Sequence, residues 1–336
     1  SLLEMEQSHI THNILFTLPR TASHLLTRLL NLPAQSSITR PPNGEDGYLF
    51  LPACLTRFKG QLFGKDPNSW IDEDKQALKD TLQKGFNDWT DLISEAEQSG
   101  KGTYIKEHIN FVVDPLPEAH FFGHTNTNSL PPFEVSWRTQ QAGKTAQNVT
   151  CLPDAFLIHQ VKPTFLIRHP CLTFPSNLRL SLKNQPLEAV LSEGNAHKWE
   201  WTYHWTLSLY RFYTSHSEFN RDSRVEDVKY PIVIDAADLA NEVVVKKYAK
   251  AVGLDEEEVM FEWEAAASQE VATASIMGST GVDKAKLGGE TVFDLRKKRE
   301  GWKEEFGVDL GERLYELVEG SMRDYEELRA VRLGSW

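Results

Sequence analysis

Short apolar runs alternate with amphipathic stretches along the chain, and the period of each assigns an element. Asn13-Ile14-Leu15-Phe16-Thr17-Leu18 is the first run. A run this short and continuous fits a strand buried on both faces of a parallel sheet. It passes through Pro19-Arg20-Thr21-Ala22-Ser23 into a segment with Leu25, Leu26, Leu29 and Leu30 on one helical face. From Leu32 to Asn68, Pro, Gly, Ser and Asn interrupt every period, which predicts a long irregular insertion. Leu78, Leu82, Phe86, Trp89 and Leu92 then recur at three- and four-residue spacing, predicting a long amphipathic helix over Asp72 to Glu97. A second strand is expected at Thr103 to Ile105, ending in Lys106-Glu107-His108-Ile109. Thr164-Phe165-Leu166-Ile167, closed by Arg168-His169-Pro170, and Ile232-Val233-Ile234-Asp235 give a third and a fourth. Trp199 to Phe219 reads as one aromatic-rich helix, Asp238 to Val252 as another that Gly253 caps. Leu314, Leu317, Met322, Tyr325 and Leu328 mark one face of a final helix.

Strands alternating with helices imply an α/β fold, a parallel β-sheet flanked by helices with its ligands at the carboxyl ends of the strands. No stretch has the composition of a linker, so one domain over 5–336 is expected. Ser1-Leu2-Leu3-Glu4 before Met5 reads as an expression remnant. No apolar run approaches the roughly 18 to 20 residues of a membrane span. A basic-then-apolar leader is also missing from the expectation.

Charge narrows the partners. Lys plus Arg number 36 against 48 Asp plus Glu, a net charge of −12. Nucleic acid and anionic membranes are bound by basic faces, so neither is expected as a partner. An anionic ligand would need basic residues concentrated at one place. Cys54, Cys151 and Cys171 are odd in number and far apart, which leaves no disulfide framework and no CxxC metal site and fits a reducing, cytoplasmic compartment. No metal-ligand spacing is found among His, Cys, Asp and Glu.

The junction at Pro19 to His24 is suited to an anion, because first-turn N–H groups and the helix dipole point at it. Arg20 adds a cation beside the Thr21 and Ser23 hydroxyls. The Walker pattern is absent; Gly143-Lys144-Thr145 has Arg138 where the leading Gly should be, and ordinary ATP or GTP hydrolysis is disfavoured. Arg168 ends a strand and Ser176 follows eight residues on in the next helix, a little over two turns, so the two can converge on one phosphate. Lys106 and His108, two residues apart, share one side of a strand. A neutral His there can take the proton of an acceptor hydroxyl while the Lys stabilises charge on a leaving phosphate. The crowded aromatics Trp199, Trp201, Tyr203, Trp205, Tyr210, Phe212 and Tyr213 are expected to be mostly core, the rest lining an apolar acceptor pocket within reach of His120 and His124.

In order, Leu18-Pro19-Arg20-Thr21-Ala22-Ser23, Lys106-Glu107-His108, Leu166-Ile167-Arg168-His169-Pro170 with Ser176, and Gly301-Trp302-Lys303 resemble the P-loop sulfotransferase superfamily, most nearly its fungal-type small-molecule members. The resemblance implies binding of 3′-phosphoadenosine 5′-phosphosulfate (PAPS), with adenosine 3′,5′-bisphosphate (PAP) as product and no metal. By position, Arg20, Thr21, Ala22, Ser23 and His24 would surround the 5′-phosphosulfate, and Arg168 and Ser176 the 3′-phosphate. Arg296, Lys297 and Arg299 would clamp the nucleotide. Lys106 would bind the bridging oxygen and His108 would be the general base. Ala22 stands where the family usually has Gly, His24 where it has Ser or Thr, Leu25 where some members stack an aromatic on adenine, and Ala236 where many have Tyr. The implied activity is sulfuryl transfer to the hydroxyl of a hydrophobic small molecule such as a secondary metabolite. Two alternatives stay open. One is a PAPS-independent cyclase, dehydratase or isomerase using His108 and Lys106; the other is a binding protein that has lost catalysis.

Overall fold

The structure is a computed structural model that describes residues 10–126, 133–138, 144–221, 223–263, 282, 284–288 and 292–334. Its centre is a five-stranded sheet of β1 (His12–Thr17), β2 (Ile38–Thr39), β3 (Gly102–His108), β4 (Lys162–Ile167) and β7 (Ile232–Asp235). Arg224–Val225 and Val228–Lys229, β5 and β6, form a separate small antiparallel hairpin. The order is β2-β3-β1-β4-β7, and every pairing in the sheet is parallel. The register brings Thr17 opposite His108 and Ile167 opposite Asp235, so the carboxyl ends of the inner strands finish nearly level. Turns leaving those ends can therefore meet.

Burial explains why the apolar runs became strands. Every residue of β1 is buried, and Phe16 stacks on Phe165 of β4 at 5.7 Å between ring centroids. Burying one such side chain completely contributes roughly 1.5–3 kcal/mol. The helix Asp72–Gln98 opens with Asp72, Glu73 and Asp74, acidic residues that suit the positive end of its dipole. Its Trp89 meets Phe50 and Phe156 edge-on at 6.3 and 4.9 Å.

Polar groups trapped in this core pair with one another. Thr164 Oγ1 donates to the Ile14 carbonyl at 3.1 Å and lies 2.8 Å from the Tyr248 hydroxyl, which is 2.9 Å from that of Tyr104. Each hydroxyl has one proton. With the Thr164 proton on Ile14, Tyr248 donates to Thr164 and Tyr104 to Tyr248, a relay running one way across β3, β1 and β4.

Two elements differ from the sequence expectation. The insertion 32–68 is not irregular throughout: it holds the helix Leu51–Gly60 and the edge strand β2. Its helical period is hidden because the buried face carries Ala53, Cys54 and Arg57 while Leu51 and Leu55 are exposed. The aromatic segment is three helices, Gly194–Glu200, His204–Ser215 and Ser217–Arg221. The first break has a cause: Thr202 Oγ1 accepts the His204 N–H at 3.1 Å, and the Tyr203 N–H is taken by Ser321 Oγ of the last helix at 2.9 Å. Trp199, Trp201 and Trp205 are core, as expected. The final helix, Val308–Ala330, buries Leu314, Tyr325 and Leu328. Among the described residues no helix is long and apolar enough to cross a membrane.

Candidate active site

At the end of β1 the chain turns through Leu18 to Ala22 into the helix Ser23–Leu29. Thr21 is fully buried and its hydroxyl donates to the Leu18 carbonyl at 2.7 Å, so that side chain fastens the turn from within. On either side of it Arg20 and Ala22 adopt left-handed backbone, at φ 67° and 70°. Such alternation directs successive N–H groups toward one concavity, the geometry of an anion nest. Ala22 retains the conformation that a glycine would adopt without strain. No side chain caps the helix that follows.

The neighbouring strand end closes on the same turn. Arg168, just past β4, donates from Nη1 to the Arg20 carbonyl at 2.8 Å and from Nη2 to the Lys286 carbonyl at 2.5 Å. Arg20 Nε donates to Ser176 Oγ at 3.0 Å. The structure thus brings Arg20, Arg168 and Ser176 together, with Arg20 in contact with both of the others. Arg168 Nε is buried with no hydrogen-bond partner among the described residues. Burial works against the charge of both guanidiniums, and Arg20 adds to the effect at Arg168. An anion placed among them would relieve that cost.

β3 supplies the other cation. Its alternation sends Lys106 and His108 to one side and Glu107 to the other. Lys106 Nζ lies 3.0 Å from His24 Nδ1 and 4.8 Å from the centroid of the Tyr48 ring. Burial pushes the Lys106 ammonium down to about 8, against the pull of Asp46, Glu45 and Glu107. His24 is pushed down to about 4 by burial and then by Lys106 and Arg20. His108 goes to about 3 through burial, Lys106 and His24, so its imidazole is neutral at physiological pH.

Hydrogen bonding sets the His108 tautomer. Its Nδ1 is 2.7 Å from Thr17 Oγ1, which itself donates to the Glu107 carbonyl at 3.3 Å. With the Thr17 proton on the Glu107 carbonyl, His108 Nδ1 carries the hydrogen and Nε2 keeps the lone pair. Glu107, fully buried and pushed up to about 8 by burial, accepts N–H bonds from Phe50 at 3.2 Å and His108 at 3.3 Å.

Other expected residues lie apart from this cluster. Arg299 is bound to Glu312 at 2.6 and 2.8 Å, while Arg296 and Lys297 are exposed in the first turn of the helix Leu295–Phe306. Lys298 is the member of that run whose charge bears on His169 and Cys171, at the start of the helix Pro170–Asn184. Trp302 is buried and Lys303 is paired with Glu312. His120 is exposed, and His124 Nε2 bonds the Gly64 carbonyl at 2.9 Å. Lys144 is ion-paired with the buried Asp114, and Gly143 lies outside the described residues. Leu25 and Ala236 are both buried. No group of three or more His, Cys, Asp or Glu among the described residues is placed to hold a metal.

Two known proteins are similar over nearly the whole chain. Sulfotransferase ppzF of Metarhizium majus (strain ARSEF 297) is 34% identical to this chain over 337 residues, 95% of this chain and 96% of that protein. Sulfotransferase ppzF of Metarhizium rileyi (strain RCEF 4871) is 32% identical over 336 residues, 95% of each. The chain belongs to the sulfotransferase family. No family model matches it. No solved structure matches it either.

At the end of β3 the structure thus sets a neutral imidazole, His108, beside a buried ammonium, Lys106. Sequence reading missed two residues against this pair, Thr17 and Tyr48. Thr17 looked like the end of a strand. Tyr48 lay inside the irregular insertion, where Asp46-Gly47 signals a turn and says nothing of what the turn touches.

Proposed function

We propose that this sulfotransferase moves a sulfuryl group from PAPS to the hydroxyl of a hydrophobic small molecule such as a secondary metabolite. The observation that carries the reading is the convergence of Arg20, Arg168 and Ser176, with an orphaned guanidinium N–H, on a left-handed turn. Buried cations without a counter-anion are costly, and a phosphate repays that cost through charge-assisted hydrogen bonds. The residues present therefore fit the nucleotide. Arg20, Ser23 and the backbone at Ala22 and His24 would hold the 5′-phosphosulfate; Arg168 and Ser176 would hold the 3′-phosphate, with Lys298 adding positive charge at the start of the helix that carries Ser176. Thr21 acts by shaping the turn.

The bound nucleotide would supply sulfur activated as a phosphosulfate anhydride. The chain does the rest. His108 Nε2 accepts the proton of the acceptor hydroxyl while Nδ1–H stays fixed on Thr17. Lys106 presents an N–H to the phosphate oxygen on which charge develops. The apolar walls beside His108, Tyr48 at 4.9 Å and Phe111 at 5.0 Å between ring centroids, favour an acceptor with little polarity.

Calorimetry and melting with PAP test the reading. PAP should raise Tm, and Arg168→Ala or Ser176→Ala should weaken binding by about tenfold to a hundredfold, the value of a charge-assisted hydrogen bond. Absence of any shift with millimolar PAP would sink it. Turnover of a metabolite without PAPS would favour lyase or isomerase chemistry on the same residues.

A further inference from the structure

The segment that delivers Tyr48 is stitched to β3 along its length. The Asp46 carbonyl accepts the Lys106 N–H at 2.8 Å, and the Tyr48 N–H donates to the Lys106 carbonyl at 3.1 Å. Between them Gly47 pairs with Lys106 in a parallel bridge, continuing the sheet edge beyond β2. Only glycine fits there, since a Cβ would lie 1.8 Å from the Lys106 carbonyl oxygen. Further on, the Glu107 carboxylate accepts the Phe50 N–H. Asp46 and Tyr48 take left-handed backbone at φ 58° and 57°, unfavourable for residues with side chains. Strain of this kind persists where the surroundings over-determine it, and it clusters at functional sites.

The strained backbone puts one ring against three groups of the site. The Tyr48 centroid is 4.8 Å from Lys106 Nζ, 4.9 Å from the His108 ring and 6.0 Å from the His24 ring. Its hydroxyl is 3.4 Å from His24 Nε2. An ammonium can only donate, so His24 Nδ1 accepts from Lys106 and the imidazole proton is on Nε2, facing Tyr48. Of the three Lys106 N–H groups, one is directed to His24 and the ring face attracts the cation from another side.

We propose that Tyr48 is a positioning residue for the transfer reaction, a fixed aromatic partition that holds the Lys106 ammonium and the His108 imidazole in register and, with His24, aims a Lys106 N–H at the leaving oxygen. This rests on the sulfuryl-transfer reading for its consequence, though the placement of Lys106 can be measured without any nucleotide.

Tyr48→Leu removes the ring; Tyr48→Phe keeps the ring and drops the hydroxyl. In Tyr48→Leu, kcat should fall at least tenfold while Kd for PAP moves less than threefold, and Tyr48→Phe should recover most of kcat. In the ligand-free protein, the Lys106 ε-methylene protons should be shifted upfield by the ring in wild type and Tyr48→Phe and return to ordinary positions in Tyr48→Leu. Unchanged kcat in Tyr48→Leu overturns the proposal, as does an equal loss of kcat and PAP affinity. Should wild type transfer no sulfuryl group, the sulfuryl reading fails separately, and missing ring-current shifts would then overturn the placement of Lys106. If Tyr48→Leu does not fold, Tyr48→Phe decides: its Lys106 signals must stay upfield.

Discussion

Lys106 carries the sharpest consequence at the scale of single residues. On the proposed mechanism its charge stabilises a leaving oxygen, yet burial lowers its pKa to about 8, below the ordinary lysine value of 10.5. kcat/KM, which reports the free enzyme, should therefore decline as pH rises through about 8. Bound nucleotide adds negative charge beside the ammonium, so the decline in kcat should come at higher pH. The groups facing Lys106 are His24, Glu107, Glu45 and Asp46; His24 is already neutral there, Asp46 and Glu45 raise the Lys106 value, and Glu107, itself pushed up to about 8, adds its charge only as it ionises in the same range. Lys106→Arg should flatten the alkaline limb, and a profile flat to pH 10 in the wild type would contradict this account. His108 contributes no limb near neutrality because it titrates at about 3. Lys106, His108, Arg168 and Ser176 were legible in the sequence because strand-end position and helical spacing fix where they point. Tyr48 was not, because its role depends on left-handed backbone and a close approach to β3 some 58 residues away in sequence, and Lys298 was passed over because first-turn orientation is set by packing against Phe293.

At the scale of elements, the sheet depends on the hydroxyl relay as well as on apolar burial. Tyr248→Phe removes the acceptor of the Tyr104 proton and the donor to Thr164 together, leaving Tyr104 with a buried unsatisfied O–H. The expected cost is about 1–3 kcal/mol. Tyr104→Phe combined with Tyr248→Phe should cost less than the two single changes added, since the double variant leaves no orphaned phenol. Urea unfolding of the three variants reads both, and strict additivity would mean the relay is not a unit. Four strands were legible from their apolar runs. β2 was not, being two residues long and held by β3 alone, and the helix Leu51–Gly60 was masked by Arg57 on its buried side. That arginine is tolerated because Nη2 reaches both Glu118 oxygens at 2.6 and 2.5 Å, a tertiary pairing no local pattern announces.

For the whole molecule, buried histidines govern acid stability. His24 and His169 are pushed down to about 4, and His108 and His197 to about 3, mainly by burial. Unfolded, they take up protons near 6.5. Their contribution is present above that value and is lost as pH falls toward 3–4, up to about 1.4 kcal/mol per pH unit for each site. Glu107 and Glu200, raised to about 8 and 7, act in the opposite sense until unfolded carboxylates protonate near 4.5. Because buried acids oppose the histidines, the test is by variant: His197→Gln should narrow the loss of urea midpoint between pH 6.5 and pH 5, and an unchanged loss would show that His197 is not buried as a neutral group.

The Arg168 guanidinium joins a carbonyl 148 residues before it to one 118 residues after it. On the ribosome, the turn at Arg20 and strand β4 emerge well before Lys286 is made. The clasp is consequently among the last contacts that synthesis allows, and a nascent chain lacks one wall of its anion site until the C-terminal segment has been translated. Completion of the polypeptide and closure of the clasp then coincide.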